Sequence, residues 1–335
     1  MTRSVRNTAG ESVELAERPF AQGGEAAVYG VPKYPGVVVK LYYPQVLHKR
    51  GDPLRVKIEA MTSDPQLARF KGHPGLTWPR FSVFDESNQW RGYAMRKAEG
   101  VSMAVLAHAK AYSEHFPNLD RPALAAYLLH MLSTIRELHA AGVKIGDYNP
   151  ANFLCLPGSP AVTLIDCDSW QVNAAGETFL CPVAAPDMLP PELHGKELGK
   201  VSRTLESELF GLAILVFKLL MLGRHPFDVV GGESPVANIR KGYFPYGIGG
   251  GGIPLGPWFN IWSHLPYKLK EQLVRTFKDG TQNPTARAAV ADWIDLLELY
   301  RREMGRGWHD TQVKPDTPKS REYRGTQSMS RASAG

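Results

Sequence analysis

Cysteine is scarce in this chain of 335 residues: there are three, Cys155, Cys167 and Cys181, an odd number without the paired spacing of a metal knuckle. That argues against a disulfide-framed extracellular domain and against a structural zinc site. With no signal peptide evident, the expected compartment is the reducing cytoplasm. Long apolar runs are lacking too. The longest, 209–222, is interrupted by Lys218 and is too short to span a bilayer, so it is expected to be a buried helix, and no membrane association is expected. Nor does charge of one sign dominate. The net charge is +6, and half comes from the last stretch, where Arg306, Lys314, Lys319, Arg321, Arg324 and Arg331 stand against Asp310, Asp316 and Glu322. Such a mild basic balance fits anionic ligands or partners and gives no direct evidence for nucleic acid. There is no internal repeat. What the chain does have is length and 43% hydrophobic residues, enough for one large domain or two lobes around a substantial core.

The two halves differ in pattern. The first ten residues are polar and expected to be loose, after which 13–15 alternates like a strand. A glycine-rich turn, Gln22-Gly23-Gly24-Glu25, precedes two further strands around 27–29 and 37–41, joined by the turn residues of 32–36, so the start reads as an antiparallel meander. A short helical pattern covers 54–61, and a hairpin pairs 81–84 with 90–95. From there helical periodicity takes over, at 101–110, 121–141, 205–222, 266–278 and 286–304, with Gly142 ending the second of these. Two small strands, 153–156 and 162–165, lie between, followed by a Pro-rich irregular stretch to Glu192. The glycine run 247–252 reads as a flexible loop rather than a phosphate nest, because no strand leads into it and no helix opens from it.

The most informative stretch is Lys144-Ile145-Gly146-Asp147-Tyr148-Asn149-Pro150-Ala151-Asn152-Phe153, followed by Leu164-Ile165-Asp166-Cys167-Asp168. An Asp and an Asn five apart in a Pro-containing loop, then a second Asp at the end of an apolar strand, is how phosphoryl-transfer enzymes position a base and their magnesium ligands. The plainer alternative is that these are polar turn residues between two short strands. A second signal is Val37-Val38-Val39-Lys40-Leu41-Tyr42, where a Lys inside an apolar strand is expected to point inward at something anionic.

A β-rich segment with a glycine turn and a strand Lys, then a helical segment with an Asp-x-x-x-x-Asn loop and a strand-end Asp, resembles the eukaryotic-type protein kinase fold from about 13 to 304. The resemblance implies an α+β, bilobal kinase-like fold. Its N-lobe, 11–96, would be a small antiparallel β-sheet plus one helix; its C-lobe, 97–304, mainly helical; and 305–335 a disordered basic tail. It implies ATP and magnesium as cofactors. Gly23, Gly24 and Val28 would fall in the phosphate-covering loop, with Ala21 and Ala26 where the family has its first and third glycines. Lys40 would contact the α- and β-phosphates, held by Glu59 of a helix; Met95 would back the adenine pocket, and Lys97 would lie in the hinge. Asp147 would be the catalytic base, and Asn152 and Asp166 the metal ligands. Glu208 would brace the catalytic loop, and Glu192 of Pro190-Pro191-Glu192 would pair with Arg287.

The departures cluster at the site. Ile145 and Gly146 stand where the family has His and Arg, Asn149 where it has Lys, and Cys167-Asp168 where it has Phe-Gly. Without the Arg that reads a phosphorylated activation segment, activity is not expected to need such phosphorylation. Without the Lys, either a cation from elsewhere neutralises the γ-phosphate, turnover is slow, or the acceptor differs from a protein hydroxyl. Further similarity, in Phe-Lys-Leu-Leu-Met-x-Gly-Arg-His-Pro-Phe and Ile-Asp-x-Asp-Ser-x-Gln, points to bacterial kinase-like proteins associated with von Willebrand A-type proteins and PP2C-type phosphatases, as in tellurite-resistance-related triads. Some members carry a helix-hairpin-helix region, which 305–335 lacks. The expectation is an ATP- and magnesium-dependent serine/threonine protein kinase acting on a protein substrate. The alternatives are a nucleotide-binding pseudokinase that serves as an assembly scaffold and, less favoured, a small-molecule kinase.

Overall fold

β-Branched and aromatic residues concentrated in the first hundred positions build one antiparallel sheet, and the apolar periodicity that follows builds helices. The computed structural model describes residues 3–247 and 251–319; positions 248–250 of the glycine run and 320–335 of the tail lie outside the described residues. The strands are β1 (Arg3–Arg6), β2 (Ser12–Leu15), β3 (Ala21–Gln22), β4 (Ala26–Gly30), β5 (Val37–Tyr42), β6 (Pro79–Phe84) and β7 (Trp90–Arg96), in the spatial order β2-β1-β6-β7-β5-β4-β3. Residues 3–6, expected to be loose, are therefore a paired strand. Arg3–Arg6 pairs with β2 along its length and touches β6 at Arg6, because Val5 has an apolar cluster to enter, with Leu15, Tyr29, Val39 and Val83. The sheet thus curls over a small core of its own on one face. Its other face joins the large core that runs into the helical lobe.

One long helix crosses the sheet. It is α1 (Pro44–Ser63), much longer than the eight residues of the expected helical pattern, and it starts on a proline, which suits a first helical turn. Pro53 inside it has no N–H to donate back, and Arg50 departs from helical geometry (φ −151°, ψ 26°), so the helix kinks there. Beyond it, α2 (Pro65–Ala68), α3 (Met103–Leu106) and α4 (Tyr112–His115) are single turns, and the expected helix at 101–110 contracts to α3 after a short strand, β8 (Val101–Ser102).

The C-lobe is organised by α5 (Arg121–Ala140) and α6 (Leu205–Leu220), the latter buried on nearly every face, as its unbroken apolar run requires. Strands β9 (Phe153–Cys155) and β10 (Val162–Leu164) pair antiparallel and carry the site loops. A hairpin of β11 (Val172–Ala174) and β12 (Glu177–Phe179) lies in the stretch expected to be irregular. It closes on Ala175 and Gly176, both at positive φ, a turn signal that the surrounding prolines obscure. The lobe is completed by α7 (Pro235–Lys241), α8 (Trp258–His264), α9 (Tyr267–Gln282) and α10 (Val290–Gly305). No helix among the described residues is long and apolar enough to cross a membrane.

Residues 306–319 depart from the expected disorder. Arg121, buried at the start of α5, donates to the carbonyls of Val313 (2.8 Å), Gln312 (3.2 Å) and Leu220 (2.9 Å), and its own N–H bonds Thr311 (2.8 Å). A buried guanidinium must have acceptors, and this strap of backbone carbonyls provides them.

Candidate functional site

The site is assembled by two registers. Lys40 and Tyr42, two apart on β5, face the same side of the sheet, and Lys40 sits opposite Tyr93 of β7. From the other lobe, the chain leaves β10 at Leu164 and two residues later reaches Asp166, whose left-handed backbone (φ 64°, ψ 34°) turns it into the short 3-10 turn Cys167–Ser169. Aspartate tolerates that conformation better than most residues. The turn brings both acidic side chains to Lys40. Its ammonium lies 2.6 Å from Asp166 Oδ1 and 2.8 Å from each oxygen of Asp168.

Asp168 is nearly enclosed, with 6% of its side chain exposed, whereas Asp166 is 44% exposed. Tyr42 donates its hydroxyl to Asp168 Oδ2 (2.5 Å) and Tyr93 donates to Oδ1 (2.7 Å). Burial alone would raise the Asp168 carboxyl, but Lys40 and the two tyrosine hydroxyls outweigh it and hold the group well below the usual carboxylate range. Burial likewise opposes the Lys40 ammonium, yet Asp168 and Asp166 together keep it above its ordinary value. Asp166 is raised by the Asp168 charge and by burial, against the pull of Lys40.

Asp147 follows Gly146 on the loop between α5 and β9. Its Oδ2 accepts from the Asn152 side-chain amide (3.1 Å), and its Oδ1 accepts from the backbone N–H groups of Asn149 and Ala185 (3.3 Å each). The loop is braced as expected of Glu208, which accepts from the N–H groups of Ile145 (2.7 Å) and Gly146 (3.0 Å) and from the Tyr148 hydroxyl (3.0 Å). The Glu192–Arg287 pair also forms, at 2.6 and 2.9 Å.

Most of the residues singled out in the sequence line one cleft of about 940 Å³ between the lobes, Gly23, Gly24, Val28, Lys40, Met95, Asp147, Asn152 and Asp166 among them. Gly23 and Gly24 have no atom within 4 Å of where a Cβ would stand, so no neighbour in the chain fills the space that the absent side chains leave. Two expectations fail. Glu59 does not meet Lys40: it lies on the outward side of α1, 43% exposed, in an i,i+4 pair with Arg55 (2.8 Å). The helix turns Lys57 inward instead, two residues and about 200° away. Lys97 does not line the cleft. Its backbone N–H is committed to Gly36 O (2.9 Å) and its ammonium lies 4.8 Å from the centre of the Phe20 ring, leaving Arg96, Ala98 and Gly100 as the hinge residues at the cavity wall.

In the sequence Asp168 stands out only as a departure, and Tyr42, Tyr93 and Lys57 pass without notice. The signal is present in part, since Tyr42 repeats the facing of Lys40 at strand period two. No local pattern announces Tyr93 or the buried facing of Lys57. Asn149 plays a local part, because its Oδ1 accepts from Ala151 N (3.0 Å) and caps the turn Pro150–Asn152.

The donor set fits magnesium of the substrate-borne kind. Asn152 uses its amide N–H on Asp147, which leaves its carbonyl oxygen as an acceptor, and Asp166 keeps an oxygen that Lys40 does not touch. Among the described residues no group of three or more His, Cys, Asp or Glu forms a closed metal cage. Magnesium commonly takes one or two protein oxygens and completes its shell with phosphates and water.

Two curated proteins are similar over most of the chain. Protein kinase YegI of Escherichia coli O157:H7 is 28% identical over 300 residues, covering 86% of this chain and 45% of that protein. Protein kinase YegI of Escherichia coli strain K12 is 28% identical over 313 residues, covering 90% and 46%. The similarity supports a protein-kinase-like family. The chain spans less than half the length of these relatives, and no family model matches it. The bilobal, kinase-like architecture is plain in the structure, with a curled antiparallel sheet first and a mainly helical region after it.

Proposed function

We propose that this protein is an ATP- and magnesium-dependent serine/threonine protein kinase. The observation that carries the reading is the convergence of Lys40, Asp147, Asn152 and Asp166 on one interlobe cleft beneath a glycine turn. In this reading ATP lies in the cleft with its phosphates toward Lys40, and the acceptor hydroxyl faces Asp147. The acceptor oxygen forms a bond to the γ-phosphorus as the bond to the bridging oxygen of ADP breaks, and the hydroxyl proton passes to Asp147. Asn152 and Asp166 would hold magnesium, which supplies charge neutralisation across the phosphates. Catalysis then rests on positioning and electrostatics rather than on covalent chemistry by the protein.

Activity without activation-segment phosphorylation is part of the proposal. Gly146, at φ +70°, would place a Cβ 2.6 Å from Cys181 Sγ, so the space where the family has an Arg side chain is filled by the segment itself. Cys181 donates to Ile145 O (3.6 Å) and Val183 O (3.2 Å), and Ala185 N reaches Asp147. These contacts support a segment already docked on the catalytic loop. Thr178 sits away from them on β12, bonded to Asn173 (2.9 Å).

The test is transfer of labelled γ-phosphate to the protein itself and to candidate protein acceptors, including any co-encoded von Willebrand A-type protein, with Asp147→Ala as control. Transfer by wild type that depends on magnesium and is lost in the control supports the reading; no transfer above the control sinks it. Asn149, capped into its turn, brings no charge, and this favours a second reading as a nucleotide-binding scaffold. Nucleotide binding without transfer would be its mark.

A further inference from the structure

We propose that Asp168 is the positioning carboxylate of Lys40, in place of a helix glutamate, so that the lysine is fixed to the Asp166 turn and not to α1. The inference rests on the reading of the cleft as an ATP site. It begins with occupancy. A carboxylate offers about four acceptor positions, and on Asp168 they meet both contacts from Lys40 and one each from Tyr42 and Tyr93. No acceptor is left over for a metal ion. Asp166 is different: it meets Lys40 through one oxygen and is far more exposed. When phosphates enter, Lys40 can give up Asp166 and keep Asp168.

The second ground is what α1 lacks. Its acidic residues are Asp52 and Glu59, the first exposed and the second paired outward with Arg55. The helix turns a cation inward, Lys57, whose ammonium donates to Trp170 O (2.5 Å). A glutamate on a helix makes the placement of the lysine depend on where the helix sits. Here the anchor belongs to a turn held by Ser169, which donates its hydroxyl (2.9 Å) and its N–H (3.1 Å) to Asp166 O, and by buried Cys167. Lys40 and the Asp166 turn form one unit, and displacement of α1 does not release the lysine.

The experiment measures binding of a non-hydrolysable ATP analogue, with and without magnesium, alongside kcat and KM. It compares wild type, Asp168→Asn, Glu59→Gln, Lys40→Ala and the Lys40→Ala/Asp168→Asn double variant. Asp168→Asn is expected to weaken binding about thirty-fold, the scale for cutting one partner from a buried charge pair, and Glu59→Gln to leave it unchanged. In the Lys40→Ala background Asp168→Asn should cost nothing more, because its effect passes through Lys40. Should Asp168→Asn fail to fold by circular dichroism, Tyr93→Phe removes one hydrogen bond from the same carboxylate and should weaken binding several-fold. Additive losses in the double variant, a Glu59→Gln defect as large as that of Asp168→Asn, or full affinity in the Asp168 or Tyr93 variant would overturn the assignment. Wild type that binds no nucleotide would overturn the ATP reading with it.

Discussion

Lys57 offers the sharpest test of how the site is built. Its side chain is buried, its ammonium donates to Trp170 O, and burial, with Arg50 adding to it, pulls the pKa from 10.5 down to about 8 against the opposing charges of Asp168 and Asp166. Holding that charge in the folded protein costs about 3 kcal/mol at neutral pH, the free-energy equivalent of the lowered pKa. Replacement by Met removes the cost and leaves the Trp170 carbonyl without its donor, a loss of about 1–2 kcal/mol. Lys57→Met is therefore expected to be more stable than wild type by about 1–2 kcal/mol at pH 7. The pH dependence is the stricter part. Below about pH 8 both folded and unfolded states carry the proton and the full cost is present. Between about pH 8 and 10.5 the unfolded chain binds more protons than the native one, so wild-type stability climbs with pH as the cost is relieved. Between about pH 7 and pH 9.5 wild type should gain about 2 kcal/mol on the variant, and the two should converge. Urea denaturation of both proteins across that range measures the difference, in which the other titrating groups cancel. A gap that stays constant with pH, or a variant less stable than wild type at neutral pH, would refute the reasoning.

Three further outcomes can be checked on the same footing. Gly146→Arg, which introduces the Arg of the kinase family that the chain resembles, is expected to lower the melting temperature and abolish transfer, because the residue sits at positive φ and its Cβ meets Cys181; full activity with an unchanged melt would be the contrary result. Glu192→Ala should destabilise by about 3 kcal/mol, the low end for a broken buried pair, since Glu192 is 36% exposed and Arg287 keeps the carbonyls of Gly280 and Glu206. Denaturant titration would expose a loss under ~1 kcal/mol, the scale of a solvated surface pair. Arg121→Leu should cost about 3 kcal/mol by orphaning the carbonyls of Leu220 and Val313 and should release 306–319 to proteolysis; an unchanged digestion pattern would show that the strap is held by something else.

Much of this protein can be read along the chain, and the reasons are local. Strand alternation, helix periodicity and turn chemistry depend on near neighbours, so the β-rich start, α5, α6 and the strands flanking Asp147 and Asp166 are legible. So are the places of Lys40 within β5 and of Asp147, Asn152 and Asp166 in short turns beside β9 and β10, because local sequence sets them. The misses share another cause. Arg3–Arg6 and residues 306–319 carry little pattern of their own and are ordered by distant partners, β2 and β6 in one case and Arg121 in the other.

The facing of α1 is the clearest division between the two kinds of information. The sequence determined that a helix with one Glu near a strand Lys would exist, and it also contained Asp168. Which carboxylate meets Lys40 depends on how α1 is rotated about its axis and on where the Asp166 turn ends, and a rotation of about 200° exchanges Glu59 for Lys57. That rotation is set by burial of Leu54, Ile58 and Met61 against the sheet and the C-lobe together, a condition no segment of the chain contains by itself. Only the packed molecule could decide it.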